Sequence, residues 1–215
     1  MVKNFIDINN FNKKQLNEII NLAKKIKKNP KKFSLVLRDK TLAMIFQKQS
    51  LRTRLSFNVG MQKLGGRVIE LNSKDIGIDN KRETHKDILN VLSQYVDCLM
   101  IRNDSHKEVI NFGNQNIIPI INGLTDFSHP CQILGDYLTI QEIFKNYKKL
   151  QISWIGDYNN VLTSLLHLQN IYLFKLNVVI PQKILLSKSK ILSLYKNKNL
   201  KFLSDPLKGS INSSC

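Results

Sequence analysis

Apolar residues along the chain fall into two alternating patterns: short unbroken runs, and stretches with helical spacing. Leu16, Ile19, Ile20, Leu22, Ala23 and Ile26 recur at intervals of three and four. They predict an amphipathic helix over 11–28, capped by the asparagines before it and stopped near Asn29-Pro30. Leu42–Phe46 is continuously apolar and reads as a buried strand, and Leu55–Met61 returns to helical spacing up to about Leu64. Gly65-Gly66 then turn into a second short strand over 68–71. Residues 72–83 are polar and read as a surface loop. Beyond it the pattern predicts a helix over 87–95, a strand over 98–101 ending at Arg102, and a short helix capped by Ser105. A strand over 117–121 follows, stopped by Asn122-Gly123, and then a helix from Ser128-His129-Pro130 to about Phe144. The last third repeats the alternation: strand 151–155, helix from Asn159-Asn160-Val161 to 171, strand 176–180, helix 184–195 and strand 201–203.

Strands that alternate with helices predict a mainly parallel sheet with right-handed crossovers. The expected fold is therefore α/β, with two doubly wound parallel-sheet domains, 1–145 and 146–215, the first complete and the second truncated. The helix after His129 serves as the bridge. A half-made second sheet is expected to leave apolar edges and faces open.

Composition narrows the classes. The 215 residues suffice for one large or two small domains with a real core. With 42% hydrophobic and 23% charged residues the chain has the balance of a soluble globular protein. No apolar run approaches the ~20 residues of a membrane span, and Met1–Asp7 lacks the basic-then-apolar order of a signal peptide. A cytoplasmic protein without membrane association is expected. The three cysteines, Cys98, Cys131 and Cys215, have no metal or disulfide spacing. A formal charge of +17 raises the question of nucleic acid. The lysines are scattered on helix faces with no interleaved aromatic motif, so no nucleic-acid partner is expected. A positive field does draw in small anions.

Candidate chemistry lies at strand ends, where open parallel sheets bind ligands. The first strand leads into Phe46-Gln47-Lys48-Gln49-Ser50-Leu51-Arg52-Thr53-Arg54 and then a helix. A helix start with free N–H groups, two hydroxyls and a planar guanidinium is the chemistry of a phosphate site. The same residues are equally consistent with a solvated helix start. The third strand ends at Arg102, which taken alone reads as well as a surface arginine. The fourth leads to His129 and Gln132, one helical turn apart on one face. His129 has a capping role as its alternative, and Cys131 beside it has a nucleophile reading that its position on the helix disfavours.

Together these residues carry a resemblance. Phe46–Arg54 resembles the Phe-Glu-Lys-x-Ser-Thr-Arg-Thr-Arg motif of the carbamoyltransferases. Met100-Ile101-Arg102, Asn122-Gly123-Leu124-Thr125-Asp126, His129-Pro130-Cys131-Gln132 and Gly156-Asp157-Tyr158-Asn159-Asn160-Val161 follow in that family's order. Lys48 and the Asn159-Asn160 pair favour the family's ornithine branch over its aspartate branch; another amine, such as putrescine, is the alternative acceptor. The resemblance implies a carbamoyl-phosphate-binding domain over 1–145 and part of an ornithine-binding domain over 146–215. The implied substrates are carbamoyl phosphate and L-ornithine, the products citrulline and phosphate, and the setting arginine metabolism. No metal or organic cofactor is implied, and the usual assembly is a homotrimer. It further implies that Ser50, Leu51, Arg52 and Thr53 hold the phosphate. Arg102, His129 and Thr53 would polarise the carbonyl oxygen, with Pro130, Cys131 and Gln132 around the carbamoyl group and Asn159 and Asn160 towards ornithine. Arg52, Thr53, Arg102 and His129 are the implied catalytic set.

The chain also departs from that pattern. Leu51 stands for the motif's first threonine and Gln47 for its glutamate, removing a hydroxyl and a structural charge pair. Ile78 stands about where the family has a glutamine that reaches a neighbouring subunit's ligand. The family's Asp-x-x-x-Ser-Met-Gly loop and His-Cys-Leu-Pro segment do not occur in these 215 residues. The expectation is a chain that binds carbamoyl phosphate with little or no transfer, or a non-catalytic binding remnant.

Overall fold

A computed structural model describes residues 3–74, 76, 83–144 and 146–215. Within them the chain forms two parallel sheets. The first contains β1 (Thr41–Phe46), β2 (Arg67–Asn72), β3 (Cys98–Arg102) and β4 (Ile120–Leu124) in the order β2-β1-β3-β4. The second contains β5 (Gln151–Ile155), β6 (Lys175–Val179) and β7 (Leu200–Leu203) in sequential order. The α/β reading is therefore correct. In the first sheet β1 and β3 are neighbours, yet the chain leaves them in opposite directions. That places a topological switch point at their carboxyl ends, where the crevice of such sheets opens. Phe46 pairs with Arg102 in register, so the phosphate-type loop and the strand-end arginine emerge side by side.

Helices fill the connections: α1 (Lys13–Lys28), α2 (Leu51–Lys63), α3 (His85–Leu92), α4 (His106–Asn114), α5 (Pro130–Ile143) and α6 (Asn160–Tyr172). The chain-terminal part adds α7 (Gln182–Ser187), α8 (Ser189–Leu192) and α9 (Pro206–Ser210). Several boundaries differ from the sequence reading. Asn12, rather than Asn9 or Asn10, caps α1 through a reciprocal bond with Gln15. The fourth strand starts three residues later than expected and contains Asn122 and Gly123 instead of stopping at them. The helix expected over 184–195 is broken into α7, α8 and a 3-10 turn, and α9 has no counterpart in the reading. Residues 77–82, including Ile78, lie outside the described residues.

Two features bind the halves together. The largest apolar cluster joins Ile8, Leu16, Ile20, Ile133 and Tyr137 from before residue 145 to Leu162, Leu166, Leu176 and Val178 after it. The sheets thus part between β4 and β5, whereas the core does not. The N-terminal segment also reaches both sides. Phe5 N donates to Ile120 O, Asn122 N donates to Phe5 O, and Asp7 pairs with His167 of α6.

The outer edge of β5 is not open, against the expectation from sequence. Ser214 N donates to Gln151 O and Ser153 N donates to Cys215 O, both at 2.8 Å. Ser153 Oγ and Asn177 Nδ2 both donate to Gly209 O. Residues 214 and 215 therefore pair with the strand edge that would otherwise present unpaired backbone groups, while Gly209 lies over the face of the sheet. No described helix is long and apolar enough to cross a membrane.

Candidate functional site

A cleft of about 930 Å³ opens at the switch point, within the size range of small-ligand sites. Its floor is the head of α2. Ser50 is the N-cap residue but makes no side-chain cap bond, so its hydroxyl is not used within the helix start. The first-turn N–H groups of α2 have no carboxylate cap, and the first turn carries no acidic residue. A helix start of that kind attracts an anion. Arg52 is exposed and faces the cleft together with Thr53.

Arg102 forms the adjoining wall. Its Nη1 donates to Thr53 Oγ1 at 3.0 Å, which ties the end of β3 to the first turn of α2. Its Nε is buried and without a partner among the described residues. Burial lowers the guanidinium's pKa, opposed by the Asp104 carboxylate. His129, the N-cap residue of α5, supplies the third side. Its backbone N–H donates to Ser164 Oγ of α6 at 2.8 Å, and its ring Nδ1 is buried without a partner among the described residues. Burial, and then the charge on Arg102, lower the imidazole pKa to about 4. The ring is neutral at physiological pH, and the cleft's fixed positive charge belongs to the arginines.

That shift has a consequence for stability. An imidazole kept neutral by the fold contributes its stabilisation in full above its ordinary pKa near 6.5. The contribution is lost as pH falls from 6.5 towards about 4, because the unfolded chain there binds the extra proton. Thermal melts should therefore show a steeper loss between pH 6.5 and 4 in the wild type than in His129→Gln. Parallel curves for the two proteins would disprove the burial effect.

The expected residues divide by position. Ser50, Leu51, Arg52, Thr53, Arg102, His129, Cys131 and Gln132 all border the cleft. Leu51 does so with its own side chain 73% exposed. Pro130 is buried as the first residue of α5 and is not among the cleft-lining residues. Asn159 is exposed and caps α6, accepting from Val161 N and Leu162 N. Asn160 Nδ2 donates to Thr125 O at 2.6 Å, and it is the next residue, Val161, that borders the cleft. Cys131 Sγ donates to Asn122 O, and burial pushes its thiol up to about 12, so it is no nucleophile.

Around the site, Gln47 Oε1 accepts from Asp104 N at 3.1 Å and Lys48 pairs with Asp104 at 2.8 Å. The loop after β1 is thus still latched to the loop after β3, with an amide where the resemblance led to a carboxylate. Arg54 turns away from the cleft to Glu70 at 2.6 Å and lies over Phe46. Ser56, Phe57 and Asp136 also line the cleft and were not singled out from sequence. The signal for each was its helical spacing, four residues on from Arg52, Thr53 and Gln132. Among the described residues no cluster of three or more metal-ligating side chains occurs.

Sheet order and cleft define an α/β protein with an arginine-lined cleft at its switch point. Residues 3–142 match the carbamoyl-phosphate-binding domain of the aspartate/ornithine carbamoyltransferases, and the chain belongs to that family. It is 44% identical over 164 residues to an ornithine carbamoyltransferase of Listeria monocytogenes, covering 76% of this chain and 52% of that protein. One from Ruthia magnifica is 41% identical over 184 residues, covering 85% and 61%. Among solved structures, ornithine carbamoyltransferase from Pyrococcus furiosus is 35% identical with a TM-score of 0.83, covering 96% of this chain and 68% of that one. The Thermus thermophilus enzyme is 32% identical at the same TM-score of 0.83, covering 97% and 71%. The chain spans about half the length of the Listeria relative and about three fifths of the Ruthia one.

Proposed function

We propose that the cleft binds carbamoyl phosphate and that the chain carries the carbamoyl-donor half of an ornithine carbamoyltransferase. Residues 1–145 form the carbamoyl-phosphate domain, and residues 146–215 form the beginning of the ornithine side. The observation that carries this reading is the pair of buried side-chain nitrogens, Arg102 Nε and His129 Nδ1, unpartnered among the described residues, that border one cleft with a helix start. A buried polar group without a partner is costly, and a ligand rich in acceptor oxygens offsets that cost.

The chemistry follows from the donors. The N–H groups at the head of α2, the Ser50 and Thr53 hydroxyls and the Arg52 guanidinium hold the phosphate. Arg102, bonded to Thr53, points positive charge at the carbonyl oxygen. The neutral imidazole of His129 adds a donor there without protonating the incoming amine. When the neutral side-chain amine of ornithine attacks the carbonyl carbon, negative charge gathers on that oxygen. The preorganised donors stabilise it, the C–O bond to phosphate then breaks, and the proton lost by the amine nitrogen leaves with the departing phosphate, giving citrulline. Removing one such donor typically costs about 10²–10³ in rate, and holding both substrates in line supplies much of the rest. Val161 of α6 borders this path, and Asn160 beside it is held by its bond to Thr125 O. No metal or organic cofactor enters the scheme, and its substrates are those of arginine metabolism in the cytoplasm.

The active assembly is proposed to be a homotrimer. Leu51, Leu55 and Val59 are exposed at successive turns of α2, and α2 has no buried residue. A second copy of the chain covering this stripe would complete the site's open side; light scattering that shows only monomers would remove this part.

Calorimetry tests the core of the reading. The 215-residue chain should bind carbamoyl phosphate, and Arg52→Ala should weaken it by about tenfold, the modest loss expected of an exposed charged contact. Unchanged affinity would overturn the phosphate site. Citrulline formation by the same chain is expected to be low; turnover well above the Arg52→Ala control would show that these residues suffice for transfer.

A further inference from the structure

Gln132 and Asp136 lie one turn apart on α5, and both border the cleft. Gln132 Nε2 donates to Asp136 Oδ1 at 2.8 Å. An ionised carboxylate only accepts, so this bond decides which end of the amide is committed. The nitrogen is held by Asp136 and the carbonyl Oε1 remains as an acceptor. A glutamine without such a partner presents either end, because its last torsion is broad and nearly two-fold.

The polarity of the cleft gives that choice its meaning. Arg52 from α2, Arg102 from β3, the α2 N–H groups and the hydroxyls of Ser50 and Thr53 all favour acceptor atoms on a ligand. They serve any acyl phosphate equally well. Carbamoyl phosphate and acetyl phosphate share the phosphate and the carbonyl and differ in an NH₂ against a methyl group. Only an acceptor in the wall tells them apart, by pairing with the NH₂ that the methyl group lacks.

We propose that Asp136 is a positioning residue that makes the cleft selective for a carbamoyl over an acetyl group, by holding Gln132 with its carbonyl oxygen free to accept from the ligand's NH₂. The proposal rests on the carbamoyl phosphate reading above and adds to it the residue that sets donor specificity. Asp136 is the only carboxylate among the described residues that line the cleft. Burial raises its pKa and the Gln132 bond opposes that rise, as expected of a carboxylate engaged by a donor.

The test compares affinities for carbamoyl phosphate, acetyl phosphate and inorganic phosphate by calorimetry on wild type, Asp136→Ala and Asp136→Asn. The wild type should prefer carbamoyl to acetyl phosphate by about five- to tenfold, the worth of one hydrogen bond. Asp136→Ala should reduce that preference to within about twofold. Asp136→Asn should keep most of it, since its Oδ1 still accepts from Gln132. Inorganic phosphate should bind equally to all three. Asp136→Ser, too short to reach Gln132, is measured in parallel and should match the alanine variant, which covers the case of an alanine variant that fails to fold.

A preference that survives in the alanine and serine variants overturns the proposal. So does a wild type that binds phosphate without preferring carbamoyl, or an asparagine variant that loses as much as alanine. A wild type that binds no inorganic phosphate instead brings down the phosphate-site reading itself.

Discussion

Replacing Arg102 with alanine is expected to weaken carbamoyl phosphate binding by about a hundredfold or more while leaving the melting temperature unchanged or slightly higher. The guanidinium makes one bond to Thr53 and holds a second, buried Nε without a partner among the described residues. Hydrogen bonds to a charged group contribute roughly 1.5–3 kcal/mol each, so losing a two-pronged contact multiplies to that range. The same desolvated charge is a cost to the folded chain before any ligand arrives. Its removal therefore trades function for stability, the usual exchange at such sites. Arg102→Lys should recover little, because an ammonium cannot reproduce the planar fork. Calorimetry with thermal melts on the three proteins checks both halves. A loss of affinity below tenfold, with the fold intact, would remove Arg102 from the ligand.

The largest expected loss of stability lies away from the cleft, at Asp7. Its carboxylate is 4% exposed. Oδ1 accepts from Ile8 N at 2.7 Å and from His167 Nδ1 at 2.8 Å, and His106 Nε2 stands 3.9 Å from Oδ2. With Nδ1–H committed to Asp7, the other ring nitrogen of His167 meets the Tyr195 hydroxyl at 2.9 Å. Asp7→Ala strands an imidazole N–H and a backbone N–H in the interior. Breaking a buried pair in this way costs about 3–5 kcal/mol. At about 2–4 °C per kcal/mol for a chain of this size, the melting temperature should fall by roughly 6–20 °C. Asp7→Asn, which keeps one acceptor, should fall less. A drop under about 2 °C for the alanine variant would show that the network is not a source of stability.

What the sequence disclosed, and what it hid, follows from the range of the forces involved. Parallel strands buried on both faces are unbroken apolar runs, so β1 and β3 were legible from Leu42–Phe46 and Cys98–Ile101 alone. The fourth strand was misplaced because Asn122 and Gly123 look like a stop. In the fold Asn122 Nδ2 is satisfied by Ile6 O, brought in by the N-terminal segment, and by Ser128 Oγ from the turn before α5. Gly123 sits where a side chain would run into Met100 of β3. At the cleft, Ser50, Thr53, Arg102, His129 and Gln132 were legible as polar residues in places where strands end. Asp136 was not, since a carboxylate four residues along a helix from a glutamine looks like any solvated face. The Asp7–His167 pair spans 160 positions and leaves no periodic trace.

The tie of the N-terminal segment to β4 on one side and to α6 on the other sets a clock on the polypeptide as it is made. At a synthesis rate of ~5–20 residues per second, the 160 positions from Asp7 to His167 take roughly ten to thirty seconds to appear. Through that interval Asp7 has no imidazole to hold. Ile8 and Phe11, which finish packed against residues from beyond β5, have no completed core to enter. These early-made residues are thus among the last to reach their final partners, and the closing of the two halves waits on α6.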